Sequence, residues 1–408
     1  IGAGSFYDPA TLCRDETYIT PVNDPEYQPE RFYYTDAVSD NAVRYVREHL
    51  ASTEDPMFLY VSYTSAHWPM HAPEEDIARY DGAYDDGYEP VRAARLARAR
   101  ELGVLNEDWA MSKPPEPWAS NPNKAWDIRS MQVYAAMVER MDAGIGRLVD
   151  SLRESGQLDN TLFVYLQDNG GCAEGYGRRS NEDKRPAEPL APMGRDDLHS
   201  KIWPPMQTRS GEWVATGPEV MAGPEDSFIA YGTGWANVSN TPFRGYKHDA
   251  LEGGISTPFI VHWPEGLVEA QSNAIVQDPA HLIDVLPTFL EAAGASYPVR
   301  RGGVAIQSAE GVSLLAALAG RGLKREEPLG FEHHGNQALR DGRWKIVSTY
   351  RKGEERRWEL YDMLSDRTEL DDLAAEYPER VQSMVGAWRG WADRVGVVDW
   401  PIPPASSR

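Results

Sequence analysis

Cysteine is almost missing from this chain: Cys13 and Cys172 are the only thiols in 408 residues. That excludes a disulfide framework, and the two positions form neither a zinc-binding nor a redox spacing. Whether they pair with each other is left open by the sequence. Positive charge is scarce as well, with 41 Lys and Arg against 63 Asp and Glu and a formal net charge of -22. A surface that acidic repels phosphate backbones and anionic lipid, so nucleic-acid and membrane-surface binding are disfavoured. No apolar run approaches the roughly 20 residues of a membrane-spanning helix, and the first residues lack the pattern of a secretion signal. Repeats and low-complexity tracts are lacking too. What the chain does have is length, enough for one large core with a smaller appendage. It opens at Ile1 within Gly-Ala-Gly-Ser-Phe, which reads as the interior of a domain, so further residues are expected upstream.

The stretch from Leu162 to Gly171 organises the rest. Five apolar or aromatic residues, Leu162 to Leu166, suit a strand buried on both faces, as in a parallel sheet covered by helices. Gln167, Asp168 and Asn169 then crowd its carboxyl end, and Gly170 and Gly171 turn the backbone. Ligands sit at such strand ends in open α/β sheets. Adjacent carboxylate and amide oxygens suit a hard cation such as calcium, while a plain Asn-Gly turn is an equal alternative on these residues alone.

The surrounding rhythm agrees with an α/β sheet. A helix is expected from Thr35 to about Leu50, a strand from Met57 to Tyr63 and a helix from Tyr88 to Leu105. Met131 to Leu152 marks a long amphipathic helix, Thr257 to Trp263 a third strand, and His281 to Ala293 a helix closed by Gly294. Cys172 to Ser239 is aperiodic, and a loop that long is expected to border a substrate pocket. From about residue 325 the pattern changes to short antiparallel strands at 337–340, 344–348 and 358–361, with turns at Asp341-Gly342 and around Gly353, and a helix over 378–395. The expected architecture is α/β. A mostly parallel central sheet flanked by helices occupies residues 1–324, and a small α+β subdomain with a short antiparallel sheet occupies 325–408.

Three apolar strands thus release reactive groups at an end: His67 after the first, Asp168 and Asn169 after the second, and Lys247 just before the third. A cation, a lysine and a histidine together favour an anionic, tetrahedral oxyester. The metal and Lys247 would hold the equatorial oxygens, and His67 would protonate the departing alkoxide or phenoxide. A nucleophile is not evident.

Four segments stand in a telling order: Tyr63-Thr64-Ser65-Ala66-His67-Trp68-Pro69; Met137 to Asp142 leading into Gln167-Asp168-Asn169-Gly170; Tyr246-Lys247 with Glu252 to Pro258; and Glu359 to Asp362 with Asp371 to Ala374. In order and spacing the chain resembles the type I sulfatases of the arylsulfatase group, in the alkaline-phosphatase superfamily. The resemblance implies an alkaline-phosphatase-like fold and hydrolysis of an aryl or carbohydrate sulfate ester. It implies one calcium ion with Asp168 and Asn169 among its ligands, Lys247 as a sulfate contact, and His67 as a sulfate contact and proton donor. It also implies that the formylglycine nucleophile and the remaining calcium ligands lie upstream of residue 1. A periplasmic or secreted location rests on the resemblance alone.

The departure is as informative as the match. The family's modified Cys or Ser is followed at alternate positions by Pro and Arg, a pattern that neither Cys13 nor Cys172 shows. Ser296-Tyr297-Pro298-Val299-Arg300 fits formally, but it follows the lysine segment instead of preceding the histidine segment. Gly302 and Gly303 also stand where the family has a helix, so a chance match is expected. His71 and His248 are further candidates for the substrate side, His71 more as a pocket-shaping or turn-capping group and His248 with a solvated turn as the equal alternative. His333 and His334 near Glu332 are expected to make a rim contact more than a metal site. The tryptophans are expected mostly to pack, and Asn237-Val238-Ser239 is a glycosylation sequon only in a secretory eukaryotic setting. Two other functions remain in view: a phosphomonoesterase or phosphodiesterase on the same fold, and a non-catalytic remnant or binding domain.

Overall fold

The computed structural model describes residues 4–267 and 273–402. Its contacts divide into two compact units, the first made of Ile1–Ala93, Pro114–Leu158 and Cys172–Val238, the second of Ala94–Lys113, Asp159–Gly171 and Ser239–Arg408. The division does not follow the expected boundary at residue 324. The tail shares a unit with the Asp168 and Lys247 segments.

In the first unit, β1 (Cys13–Arg14) and β2 (Thr17–Tyr18) form a minimal hairpin, followed by α1 (Tyr34–Ser52), α2 (Glu74–Ile77), α3 (Tyr88–Glu101, which runs across the division), α4 (Lys124–Glu154) and α5 (Gly232–Ser239). Ala42 and Val46 of α1 and Val133, Met137, Met141, Leu148 and Leu152 of α4 recur at helical spacing and are buried. Gly144 permits the close approach of the two helices, since a Cβ there would lie 2.1 Å from Ser39 Oγ. Arg140 of α4 then forks onto Asp36 (2.6 Å) and Asp76. The two cysteines form no disulfide. Asn237 of the sequon is 3% exposed, which removes it from any modifying enzyme in the folded chain.

The segment Met57 to Tyr63 is extended but joins no ladder among the described residues. Its exposure alternates, with Phe58 and Tyr60 at 76% and 79%. Apolar, alternating composition marks a backbone suited to a sheet, yet a strand also needs a partner backbone, and no described segment supplies one.

In the second unit, β3 (Phe163–Leu166) pairs antiparallel with β4 (Phe259–His262), Leu166 opposite Phe259. Neither is buried on both faces, and Ile260 is 59% exposed. Parallel pairing among the described residues is limited to isolated bridges such as His71 with Gly223. After α6 (Glu252–Ile255), a capping box at His281 and Asp284 leads into α7 (Val285–Ala292), and Gly294 ends that segment at φ 62°. Next come the hairpin of β5 (Arg300–Arg301) and β6 (Val304–Ala305) and the short α8 (Leu315–Leu318). The Ser296 pattern therefore runs into a Gly302-Gly303 turn with both φ angles positive, not into a helix.

The tail is a four-stranded antiparallel sheet of β7 (Leu329–His333), β8 (Asn336–Asp341), β9 (Trp344–Ser348) and β10 (Glu359–Asp362), in the order β10-β9-β8-β7, with α9 (Pro378–Val395) against it. Alternation splits its residues cleanly. Leu339, Ile346 and Leu360 meet Met384, Trp388 and Ala392 of α9, while Ala338, Val347 and Tyr361 meet Ala250 and Leu251 on the other face. That second face fixes the chain just beyond Lys247.

Candidate active site

Lys247 and His248 are the two tip residues of a tight turn. Asp249 N–H donates to the Tyr246 carbonyl at 2.7 Å, and Tyr246 N–H donates to Asp249 Oδ2 at 2.8 Å. The reciprocal bonds close the loop on itself. Burial pushes the Asp249 carboxyl above its ordinary range, outweighing the N–H it accepts.

This turn rests on the Asp168 segment, backbone against backbone. Lys247 N–H donates to the Gly171 carbonyl at 3.0 Å and Gly170 N–H to the Gly254 carbonyl at 2.9 Å. Three glycines make the stacking possible: a Cβ on Gly170 would lie 1.8 Å from the Gly253 carbonyl oxygen, one on Gly253 2.3 Å from that of Gly245, and one on Gly254 2.2 Å from that of Asp249. Only hydrogen fits at these positions. Asn240 joins the layers from the side, accepting from Gly171 N–H at 2.7 Å and donating to the Gly245 carbonyl at 2.9 Å.

On this platform Asp168 is exposed and Asn169 half-buried. Asn169 donates its Nδ2 to the Gly170 carbonyl at 2.8 Å, which turns its Oδ1 away as an acceptor. No hydrogen bond or ion pair engages the Asp168 carboxylate among the described residues. Two oxygens of the kind a hard cation takes are thus held on a rigid turn with one full negative charge between them. Calcium needs roughly six to eight oxygens, so these residues fit part of such a site.

The tail sheet grips the Lys247 turn at both ends. Arg244 donates to Glu359 Oε2 at 3.0 Å and to the Tyr361 hydroxyl at 2.6 Å, with its guanidinium over the Tyr361 ring. Glu252 is bound by Lys345 Nζ at 2.9 Å and Arg367 Nε at 2.9 Å, and its own N–H donates to Glu369. Burial alone would raise the Glu252 carboxyl, but Lys345 and Arg367 outweigh it and hold the group down at about 2.

His67 lies in the first unit. Its Nδ1 is 2.8 Å from the Trp68 carbonyl, which can only accept, so Nδ1 carries hydrogen and any transferable proton resides on Nε2. Trp68 donates Nε1–H to Glu174 at 2.8 Å, and Cys172 Sγ donates to the same carboxylate oxygen. Around Trp68 stand Tyr176 and Trp203, with ring centroids at 4.8 and 4.7 Å and side chains about two-fifths exposed.

His71 is not a surface ligand. It is completely buried, its Nδ1 accepts from Phe6 N–H, its Nε2–H donates to the Ser227 carbonyl at 2.8 Å, and burial drives its pKa down to about 4. It is a neutral strut beneath the His67 loop. His248 is half-buried, with Nδ1 2.7 Å from His333 Nε2. In the sequence, therefore, Asp168, Asn169, Lys247 and His248 were scattered; the second unit brings them together, while His67 and His71 belong to the first.

A family pattern described as Sulfatase matches residues 4–295. The chain belongs to the sulfatase family. It is 30% identical to an uncharacterized sulfatase of Schizosaccharomyces pombe over 97% of this chain and 69% of that protein. It is 31% identical to an arylsulfatase of Klebsiella aerogenes over 72% of this chain and 58% of the relative. The chain thus spans between about half and two-thirds of the length of these curated relatives. The crystal structure of Ps i-CgsB in complex with k-i-k-neocarrahexaose is similar in fold, with a TM-score of 0.54 at 21% identity over 91% of this chain and 57% of that one. The α/β, alkaline-phosphatase-like class expected for the chain is the class of such sulfatase neighbours.

For this sulfatase, residue-level reading missed Asn240, Arg244, Asp249 and Lys345. Lys345 carried a usable signal, because a lysine inside the apolar strand Trp-Lys-Ile-Val-Ser is buried only when paired. Asn240 carried none, since its partners lie far along the chain.

Proposed function

We propose that this sulfatase hydrolyses a sulfate monoester, aryl or carbohydrate, in a calcium-dependent reaction. One observation carries the reading: the lysine turn is hydrogen-bonded onto the Asp168–Gly171 turn, so a fixed cation and two hard oxygen ligands share one platform. A sulfate ester develops negative charge on its departing and equatorial oxygens, and fixed donors aimed at that charge lower the barrier.

In this reading Lys247 binds an equatorial sulfate oxygen, and its neighbour His248 faces the organic part of the ester. Asp168 and Asn169 hold calcium, which when bound supplies charge neutralisation to the sulfate. His67, oriented by the Trp68 carbonyl, delivers a proton from Nε2 to the leaving oxygen. Tyr176 and Trp203 beside Trp68 give the first unit a partly exposed aromatic surface suited to stacking on an aryl or sugar ring. Ser296 fits the formylglycine pattern only formally, since its segment runs into the Gly302-Gly303 turn instead of a helix, and the reading assigns that group and the other calcium ligands to the upstream residues the family resemblance implies.

The test is sulfate release from an aryl sulfate and from sulfated sugars by the full-length, matured protein, with and without a calcium chelator, with aryl phosphates assayed in parallel. Chelator-sensitive sulfate release that falls in Lys247→Ala and Asp168→Ala is expected. Hydrolysis of phosphate esters alone would replace the reading with a phosphoesterase on the same fold, and no hydrolysis of either would leave a binding domain.

A further inference from the structure

Three histidines converge at the edge of the second unit, and the proposed reaction has no use for two of them. His333 ends β7, and His334 with Gly335 forms the two-residue turn into β8, since His333 pairs with Asn336. Both turn residues have positive φ, 51° and 82°, the signature of a type I′ hairpin. His248 comes from the tip of the Tyr246–Asp249 turn. Ring centroids of His333 and His334 are 4.1 Å apart, and those of His248 lie 5.0 and 5.3 Å from them. One ring nitrogen from each histidine can be chosen so that all three lie within 4.8 Å of one another.

The supports of this cluster are in place without any ion. The hairpin and the lysine turn are already tied, because Asn336 Nδ2 donates to the His248 carbonyl at 2.8 Å. His334 is stacked on Trp400, with centroids 4.5 Å apart and planes 19° from parallel. Rigid elements and a packed outer ring are what hold metal ligands in register. The 2.7 Å contact between His248 Nδ1 and His333 Nε2 requires that one of the two be an unprotonated acceptor, which is the form that binds a metal.

We propose that His248, His333 and His334 bind one transition-metal ion of the zinc class. Imidazole nitrogens select zinc, copper or nickel over calcium and magnesium. Around tetrahedral zinc, with bonds of about 2.0–2.1 Å, ligand nitrogens stand about 3.3 Å apart. His248 Nδ1 and His333 Nε2 stand closer than that, at 2.7 Å, and nitrogens of all three rings lie within 4.8 Å of one another, so small side-chain rotations reach it. With three protein ligands at an exposed edge, the fourth position is open to water or to an anionic group. The site is chemically separate from Asp168 and Asn169, whose oxygens suit a harder ion, and it does not rest on the sulfate-ester reading. Its occupancy would lock the lysine turn to the β7–β8 hairpin.

The experiment is calorimetric titration of the full-length protein with zinc chloride in excess calcium, paired with cobalt(II) as a visible-absorption probe of tetrahedral nitrogen ligation. One zinc per chain is expected, with affinity falling more than about 10-fold in His248→Ala, His333→Ala and His334→Ala, and unchanged in Asp168→Ala. His334→Asn keeps a residue that tolerates positive φ, so it retains the fold while removing a ligand. Lost zinc binding in that variant, with an unchanged melting curve, supports the site. Absence of saturable zinc binding by the parent protein, or undiminished affinity in His334→Asn, overturns it.

Discussion

Glu252 Oε1 and Lys345 Nζ face each other at 2.9 Å with side chains 3% and 0% exposed, and Glu369 Oε1 touches the same ammonium at 2.7 Å. Burying one cation between two carboxylates is tolerable only while all of them are present. Lys345→Met should therefore cost about 3–5 kcal/mol of stability, read as a shift of the urea midpoint at neutral pH. A loss below about 1 kcal/mol, the scale of an exposed pair, would show that the carboxylates neutralise themselves when the lysine goes.

Lys247 separates structure from chemistry within one residue. Its backbone N–H holds the Gly171 carbonyl, a bond that survives truncation of the side chain. Lys247→Ala is expected to lower kcat for an aryl sulfate by about 10²–10³, the size of a lost transition-state donor, with an unchanged melting temperature. Equal losses of stability and turnover would instead mark the side chain as structural.

Gly170 makes the converse case. Alanine there would drive a Cβ to 1.8 Å from the Gly253 oxygen, and overpacking of this kind costs about 1–3 kcal/mol. Calcium affinity and turnover should both fall although no ligand is removed. Gly146→Ala on α4, where nothing lies within 4 Å, is the control and should be neutral or slightly stabilising.

His71 predicts a pH dependence. Its folded pKa of about 4 lies below the ordinary 6.5, so between those values the unfolded chain binds the extra proton. Stability is then full above about pH 6.5 and falls as pH drops toward 4, by about 3 kcal/mol for a shift of this size. His71→Gln should flatten the difference in unfolding free energy between pH 7 and pH 5. An unchanged slope would mean that His71 takes up its proton equally in the folded and unfolded states.

The sequence was most readable where a residue's neighbours along the chain are also its neighbours in space. The strands β8, β9 and β10 and the helix α9 follow the alternation and periodicity expected of them. β7 was missed because Leu-Gly-Phe-Glu-His has a glycine and mixed polarity, and it is held by pairing with β8. Residue chemistry singled out Asp168, Asn169 and Lys247, but not Asn240, whose two bonds link Gly171 to Gly245, nor Arg244, which answers to Glu359. Strand pairing was the least legible feature. Composition marked Met57 to Tyr63 and Leu162 to Leu166 as sheet material, yet which backbone lies beside each is a long-range fact.

The grip of the tail on Arg244 and Glu252 bears on how losses of activity are interpreted. A chain shortened at its carboxyl end to before Glu359 would lose α9 together with the grip of Glu359 and Tyr361 on Arg244, yet keep Asp168, Asn169, Lys247 and His67. It would nevertheless behave in an assay like a lesion at Lys247, so an apparent active-site defect in this sulfatase first calls for an intact-mass measurement.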